Sequence, residues 1–352
     1  MNPFLLRCLE LAHRAPPTVG VNPPVGALLV ESERILSEGW HERPGGPHAE
    51  VAALDALPPL LRDRIPTSTL YVSLEPCCHT GKRTPPCTDR LIAEGIGRVM
   101  VGCLDPNPQV AGRGIATLRQ AGITVELAPD PLPFEALIRP FARSIRRRRP
   151  YVILKWAETA DGKIGRSTGE RLLISGSEAL RYVHQLRSRC QAIMVGKNTV
   201  RRDNPLLSVR HAPGQPPVRI LFDIDLDLDP ALAIFRPDAP VIVINHQRDE
   251  TQGHLRYFVP QNKTAYVKLD ILLGELYERC GIGTLLVEGG RYLLQQFLNQ
   301  GVFDELHILR GPLRAPVADV AAPRLTEDLH LDRVVPLGAD LLFMYHPPHP
   351  NR

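Results

Sequence analysis

No stretch of the 352-residue sequence approaches the ~20 consecutive apolar residues a membrane-crossing helix requires, so a helical membrane span is excluded. The opening MNPFLLRCLELAHRA lacks a cationic region leading into an apolar core and a small-residue cleavage site. Export is therefore not expected, and a cytoplasmic protein is. Net charge is only +4, too mild to imply a nucleic-acid partner. Internal repeats, low-complexity tracts and a G-x-G-x-x-G fingerprint are all missing, which removes the usual sign of a Rossmann domain.

What is present is ordinary globular composition, 43% hydrophobic and 23% charged, with 35 prolines that fix many turns. A chain of this length exceeds what one core usually serves, so two domains are expected. The first residues read as an amphipathic helix with Phe4, Leu5, Cys8, Leu11 and Ala12 on one stripe. Cysteines number seven, an odd count, and Cys77, Cys78 and Cys87 cluster. Without an export signal, such a cluster favours metal binding over disulfides. Cys8, Cys103, Cys190 and Cys280 stand alone in apolar surroundings and read as buried small hydrophobes.

The N-terminal part alternates strand and helix patterns. Strands are expected from Val25 (VGALLV), Ile35 (ILSEGW), Thr69 (TLYVSL), Arg98 (RVMVGCL) and Ile123 (ITVELA). Helices are expected from His48 (HAEVAALDAL), Thr88 (TDRLIAEG) and Ala116 (ATLRQAG). This alternation implies a sheet covered on both faces. A helical segment from Pro133 ends in four arginines, Arg146 to Arg149, before Pro150, which marks a domain boundary. The arginine run reads as a solvated connector, because nothing aromatic interleaves it. A second α/β alternation starts at Tyr151 (YVILKWAE). Its strand candidates are AIMVG, RILFDI, PVIVIN, TAYVKL, GTLLVEGG, DELHIL and LLFMYH, and its helices SEALRYVHQLRSRC, DILLGELYERCG and RYLLQQFLNQ.

Chemistry concentrates in His48-Ala49-Glu50 and the run from Pro76 to Cys87. Zinc favours imidazole and thiolate, and a catalytic site takes three protein ligands with the fourth position left to water. His48, Cys77 and Cys87 supply such a set. Bound zinc lowers the pKa of its water to roughly 7. Glu50, two residues beyond the first ligand, is not needed as a fourth, and can move a proton from that water to a departing amine, as in the H-x-E…P-C-x-x-C signature of zinc deaminases. Either half alone is weak, since HAE is an ordinary helix start and two cysteines in a Gly/Pro loop also suit a structural zinc. Cys78 lies beside Cys77 and competes for the metal.

In the second half, GTLLVEGG is a strand ending in two glycines ahead of the helix RYLLQQFLNQ. The junction suits a phosphate on a helix N-terminus, and equally suits a tight turn. On SEALRYVHQLRSRC, Leu180, Val183 and Arg187 share a stripe. An arginine there needs an anionic partner or must snorkel to solvent; substrate phosphate is the sharper expectation, with Arg210 as a second contact.

The loop P-C-C-H-T-G-K-R-T-P-P-C resembles that of the bifunctional riboflavin-biosynthesis deaminase–reductase family. Further matches are Asn22-Pro23, Gly39-Trp40-His41, Asp105-Pro106-Asn107-Pro108 and Val110-Ala111-Gly112-Arg113-Gly114. In the second half they are Lys155-Trp156-Ala157, Thr159-Ala160-Asp161-Gly162, Ser175-Gly176, Val195 to Thr199, Arg202 to Leu206 and Val287 to Gly290. The resemblance spans essentially the whole chain. It implies an α/β protein of two domains: a cytidine-deaminase-like α/β/α layer over residues 1–148 and a dihydrofolate-reductase-like α/β domain over 149–352. The implied cofactors are Zn2+ and NADPH, and the implied substrates small phosphoribosyl pyrimidines, deaminated first and then reduced from ribosyl to ribityl. A homo-oligomer, dimer or tetramer, is expected, with neither nucleic acid nor membrane as partner.

By the same resemblance the catalytic residue is Glu50 and the ligands are His48, Cys77 and Cys87. Substrate contacts fall to Asn22, His41, His79, Lys82, Thr84, Asp105 and Asn107 in the first half. In the second they fall to Lys155, Arg171, Arg187, Leu207, Arg210 and Glu288. Cofactor contacts fall to Ala157, Leu173, Thr199, Asp203, Gly289, Gly290, Arg291, Tyr292, Leu293 and Leu294. Lys155 and Glu288 are the candidates for handling a proton. The sequence departs from the family in four places: the cysteine loop is one residue longer than its commonest form, Cys78 stands where serine is frequent, Leu173 stands where many relatives carry a tryptophan, and Arg171 replaces a smaller residue. Two rivals are a nucleic-acid deaminase with an unrelated second module, against which the long loop and mild charge argue, and a zinc-stabilised binding protein, which has no use for Glu50.

Overall fold

The computed structural model describes residues 2–16, 21–43, 45–80, 84–168, 170, 172–262, 268–314, 318–326 and 328–348. It divides into two compact units, residues 1–147 and 148–352.

The first unit runs α1 (Pro3–Ala12), β1 (Gly26–Glu31), β2 (Arg34–Trp40), α2 (Ala49–Asp55), β3 (Thr69–Leu74), α3 (Cys87–Ala93), β4 (Arg98–Cys103), α4 (Arg113–Gln120), β5 (Thr124–Leu127), α5 (Leu132–Leu137) and α6 (Arg139–Arg147). Its sheet has the order β2-β1-β3-β4-β5. β1 pairs antiparallel with β2 and β3, whereas β3–β4 and β4–β5 are parallel. Both faces of β1 are covered, as its unbroken apolar run requires. Ala27 and Leu29 pack with Ala49, Ala53 and Leu54 of α2. Leu28 and Val30, pointing the other way, pack with Cys8 and Leu11 of α1. α1 is capped by Asn2, whose Oδ1 accepts from Phe4 N at 2.9 Å.

The second unit runs β6 (Tyr151–Glu158), β7 (Lys163–Gly165), α7 (Ser177–Arg189), β8 (Ala192–Val195), α8 (Lys197–Asp203), β9 (Val218–Phe222), β10 (Val241–Ile244), β11 (Glu250–Gln252), β12 (Leu255–Phe258), α9 (Leu269–Cys280), β13 (Thr284–Val287), α10 (Arg291–Gln300), β14 (Glu305–Arg310), β15 (Val320–Ala321), β16 (His330–Leu337) and β17 (Asp340–His346). Its large sheet has the order β11-β12-β10-β9-β8-β13-β6-β14-β17-β16. The strands from β12 to β14 pair in parallel. Antiparallel pairs close the two edges. In β13, Leu285 and Val287 enter a core with Leu272 and Leu276 of α9 and Leu294 and Phe297 of α10. Leu286 enters the opposite core with Leu186 of α7 and Val200 of α8. Glu288, next in the alternation, therefore lies on the α7 side.

The arginine run is not solvated throughout. Arg149 is buried and pairs with Asp304 at 3.0 Å, while exposed Arg148 reaches Glu278 at 2.7 Å. Most of TAYVKL, residues 264–267, lies outside the described residues; Lys268 instead caps α9. Edge strand β16 was not expected, because it is exposed along most of its length and HLDRVVPL has no clean alternation. Among the described residues no helix is long and apolar enough to cross a membrane.

Candidate active sites

The first site forms where two helices begin beside the end of β3. His48 is the N-cap of α2, Cys87 the first residue of α3, and Cys77 lies three residues past β3. Their ligand atoms lie within 4.8 Å of one another. His48 Nδ1 stands 3.3 Å from Cys87 Sγ and 3.5 Å from Cys77 Sγ. Zinc–sulfur and zinc–nitrogen bonds of about 2.3 and 2.0 Å at a tetrahedral angle demand an S···N edge of about 3.5 Å, so this donor set has the dimensions for zinc. Cys87 N donates to Cys77 Sγ at 3.3 Å, placing that sulfur at the amide-rich start of α3, where negative charge is favoured. Cys78 stays outside the cluster; burial first, then Glu75 and Cys77, pushes its thiol up, disfavouring a thiolate.

Glu50, in the first turn of α2, is only 4% exposed. Burial, followed by the charge of Cys77, pushes its carboxyl up. His41 is also buried and stands edge-on to the His48 ring at 5.4 Å. Its Nδ1 lies 2.9 Å from Pro47 O, which can only accept, so Nδ1 carries the proton. Nε2 then accepts from Asn22 Nδ2 at 3.3 Å. Burial pushes this imidazole down, keeping it neutral. His79 and Thr84 are half-buried on the loop between the cysteines, and Lys82 lies outside the described residues. Asp105 Oδ1 accepts Asn107 N at 2.8 Å, and Asn107 Oδ1 accepts Gln109 N at 3.0 Å. This Asp-Pro-Asn-Pro loop is thus folded by its own side chains. Sequence reasoning missed buried Glu75, whose hydrogen bonds all run to backbone amides.

The second site gathers on the α7 face of the large sheet. Arg187 meets Glu288 in a two-pronged pair, Nε to Oε1 at 3.1 Å and Nη2 to Oε2 at 2.8 Å, and Nη1 reaches Ser208 O at 3.3 Å. The anion that Arg187 requires is therefore supplied within the chain by Glu288. Burial pushes the Glu288 carboxyl up, but Arg187 and then Lys155 outweigh it and hold it at about 2. Burial pushes the Lys155 ammonium down, with Glu288 opposing. The stripe on α7 is Ala179, Val183 and Leu186; Leu180 is 36% exposed and lies at its margin. Leu207 is buried with a positive φ of 53°, and Arg210 is exposed, its N–H donating to His184 Nδ1 at 3.0 Å.

The glycine turn joins the start of α8. Thr199 Oγ1 accepts Gly290 N at 2.9 Å, and a Cβ on Gly289, at φ 111°, would meet that oxygen at 2.9 Å. Only glycine permits this closeness, and α10 opens directly behind it. Arg291 and Tyr292 are exposed, whereas Leu293 and Leu294 point into the core and can offer a ligand only backbone. Ala157 is half-buried, Asp203 exposed, and Leu173 70% exposed; Arg171 lies outside the described residues. Lys197, part of the Val195 to Thr199 match but given no role there, binds Asp223 at 2.8 Å and Asp227 through its ammonium, anchoring α8.

A deaminase-type metal site in one unit and a glycine-turn site on a parallel sheet in the other define a two-domain enzyme. Residues 2–103 match the cytidine and deoxycytidylate deaminase zinc-binding region, and residues 150–330 match the RibD C-terminal domain. The chain belongs to the RibD family of riboflavin biosynthesis proteins, with both the deaminase and the reductase domain present. It is 37% identical over 351 residues to the riboflavin biosynthesis protein RibD of Synechocystis sp., covering 96% of this chain and 94% of that one. Among solved structures it is similar to Acinetobacter baumannii RibD, with TM-score 0.85, 31% identity and coverage of 99% and 98%. It is also similar to a diaminohydroxyphosphoribosylaminopyrimidine deaminase/5-amino-6-(5-phosphoribosylamino)uracil reductase from Thermotoga maritima, with TM-score 0.83, 33% identity and 98% of each chain covered.

Proposed function

We propose that this chain catalyses two consecutive steps on one phosphorylated intermediate. The first is hydrolytic deamination of 2,5-diamino-6-(5-phosphoribosylamino)pyrimidin-4(3H)-one. The second is NADPH-dependent reduction of the ribosyl group of 5-amino-6-(5-phosphoribosylamino)uracil to ribityl. The observation that carries the reading is the convergence of His48 Nδ1, Cys77 Sγ and Cys87 Sγ on one point, with buried Glu50 a half-turn away on the same helix.

Zinc held by those three ligands supplies the Lewis acid that makes water nucleophilic near neutral pH, and NADPH supplies the hydride. Glu50 takes the proton from the attacking water and returns one to the departing amine. Neutral His41, fixed by Pro47 O and Asn22, lines the pyrimidine pocket with Asn22. Asp105 and Asn107 form a second wall, and His79, Lys82 and Thr84 take the ribose phosphate. In the other unit the Gly289–Gly290 turn and the start of α10, with Thr199, Asp203, Ala157 and Leu173, would hold the cofactor, the free amides at the helix start suiting a phosphate. Arg187 with Glu288, Leu207, Arg210 and Arg171 holds the substrate. Lys155 and Glu288 handle the proton that the ribose oxygen takes up as the carbon is reduced; burial pushes the Lys155 ammonium down, with Glu288 opposing.

One purified preparation should release ammonia from the diaminopyrimidine and oxidise NADPH with the aminouracil. Reduction without ammonia release would mean that the first half has lost its chemistry. Ammonia release alone would remove the second step.

A further inference from the structure

We propose that Glu75 is a positioning residue for deamination, holding the Asp105–Asn107 wall against the loop that carries Cys77. The proposal rests on the deaminase reading above. Glu75 lies between β3 and Pro76-Cys77 and is 2% exposed. Its Oε2 accepts from Asp105 N at 3.2 Å and Gly112 N at 2.9 Å, and its Oε1 accepts from Ile115 N at 3.1 Å. Three amides on one buried carboxylate make a strong, charge-assisted anchor. It also sits where α4 begins, which favours negative charge.

The three donors come from both ends of the segment 105–115, so the carboxylate closes that segment into a loop. The remaining geometry fits the same purpose. Gly112 has φ 83°, a left-handed turn into α4. A Cβ on Gly114 would stand 2.1 Å from Pro76 O, so the loop presses directly on the residue before Cys77. Within the loop lie Asp105 and Asn107, and Arg113, whose charge reaches the Cys78 thiol. Together with the Gly114–Pro76 approach, the Glu75 carboxylate therefore ties this wall to the metal loop, without belonging to the ligand set.

Glu75→Gln keeps the shape but turns one oxygen into an N–H donor facing an N–H donor. Asp105 and Asn107 then shift relative to the metal loop, whereas His48, Cys77 and Cys87 keep their helix and strand supports. The deaminase KM should rise about tenfold with kcat within about twofold, the pattern of lost uniform binding. Zinc content and the kinetics of the reductase half should stay unchanged. A purely structural role would lower kcat, zinc and melting temperature together with KM unmoved, and that result, or no change at all, overturns the proposal. Amide exchange on the unaltered protein reads the tether without a variant. Gly112 and Ile115 should exchange about a hundredfold slower than open-loop amides. Fast exchange of both in a protein that deaminates normally sinks this proposal alone; absence of ammonia release from the unaltered protein sinks the deaminase reading and the proposal with it.

Discussion

Glu50→Gln should depress ammonia release by about a thousandfold, the scale expected when a positioned proton carrier is removed. Glutamine fills the same buried space, so packing in α2 is preserved, but its amide can neither accept the water's proton nor return one to the amine. Zinc content should remain at the unaltered level because the ligand set does not include this side chain. NADPH oxidation on the aminouracil, in the other unit, should also be unchanged. Turnover of the diaminopyrimidine at the normal rate would remove Glu50 from the reaction.

Glu288→Ala should destabilise residues 148–352 by about 3–5 kcal/mol, the cost of leaving the partner of a buried ion pair uncompensated. Arg187 keeps only 14% of its side chain exposed, and Lys155 loses the same counter-charge. Denaturant unfolding followed on this unit measures the loss. Arg187→Met combined with Glu288→Leu should recover part of the stability, Lys155 still lacking its counter-charge, while reduction stays abolished, which separates a pair kept for binding from one kept for folding. Acidity acts through the same carboxylate. Its folded value of about 2 lies below the ordinary glutamate value of about 4.3, so its stabilisation is complete above pH ~4.3 and is lost as pH falls toward 2. An unfolding profile flat from pH 6 to 2 would contradict the pair.

Elements with strong patterns were legible in the sequence. The apolar runs of β1, β8, β10 and β13 announce strands buried on both faces, and α7 and α10 show helical stripes ending at recognisable junctions. Short or solvent-facing elements, such as β7, β11 and β16, lack periodicity because packing does not constrain them. The candidate metal site was legible for a chemical reason: imidazole and thiolate in that order, each beside an element boundary, have few other uses. Partners of buried charges were not. The sequence left Arg187 either paired with an anion or snorkelling to solvent, and nothing local pointed to Glu288, which follows β13 more than a hundred residues on. Arg149 was hidden within a run that looked solvated, yet Asp304 takes it into the core. Glu75 was invisible because its partners are amides, which every residue carries.

Metal analysis of two single variants puts the sharpest question to the deaminase half. Cys78 lies next to Cys77 in the chain, yet only Cys77 converges with His48 and Cys87. Cys77→Ser should lose zinc and ammonia release together, whereas Cys78→Ser should retain one zinc per chain and normal turnover. A metal-free Cys78→Ser protein beside a zinc-loaded, active Cys77→Ser protein would contradict the ligand set on which the first reaction depends.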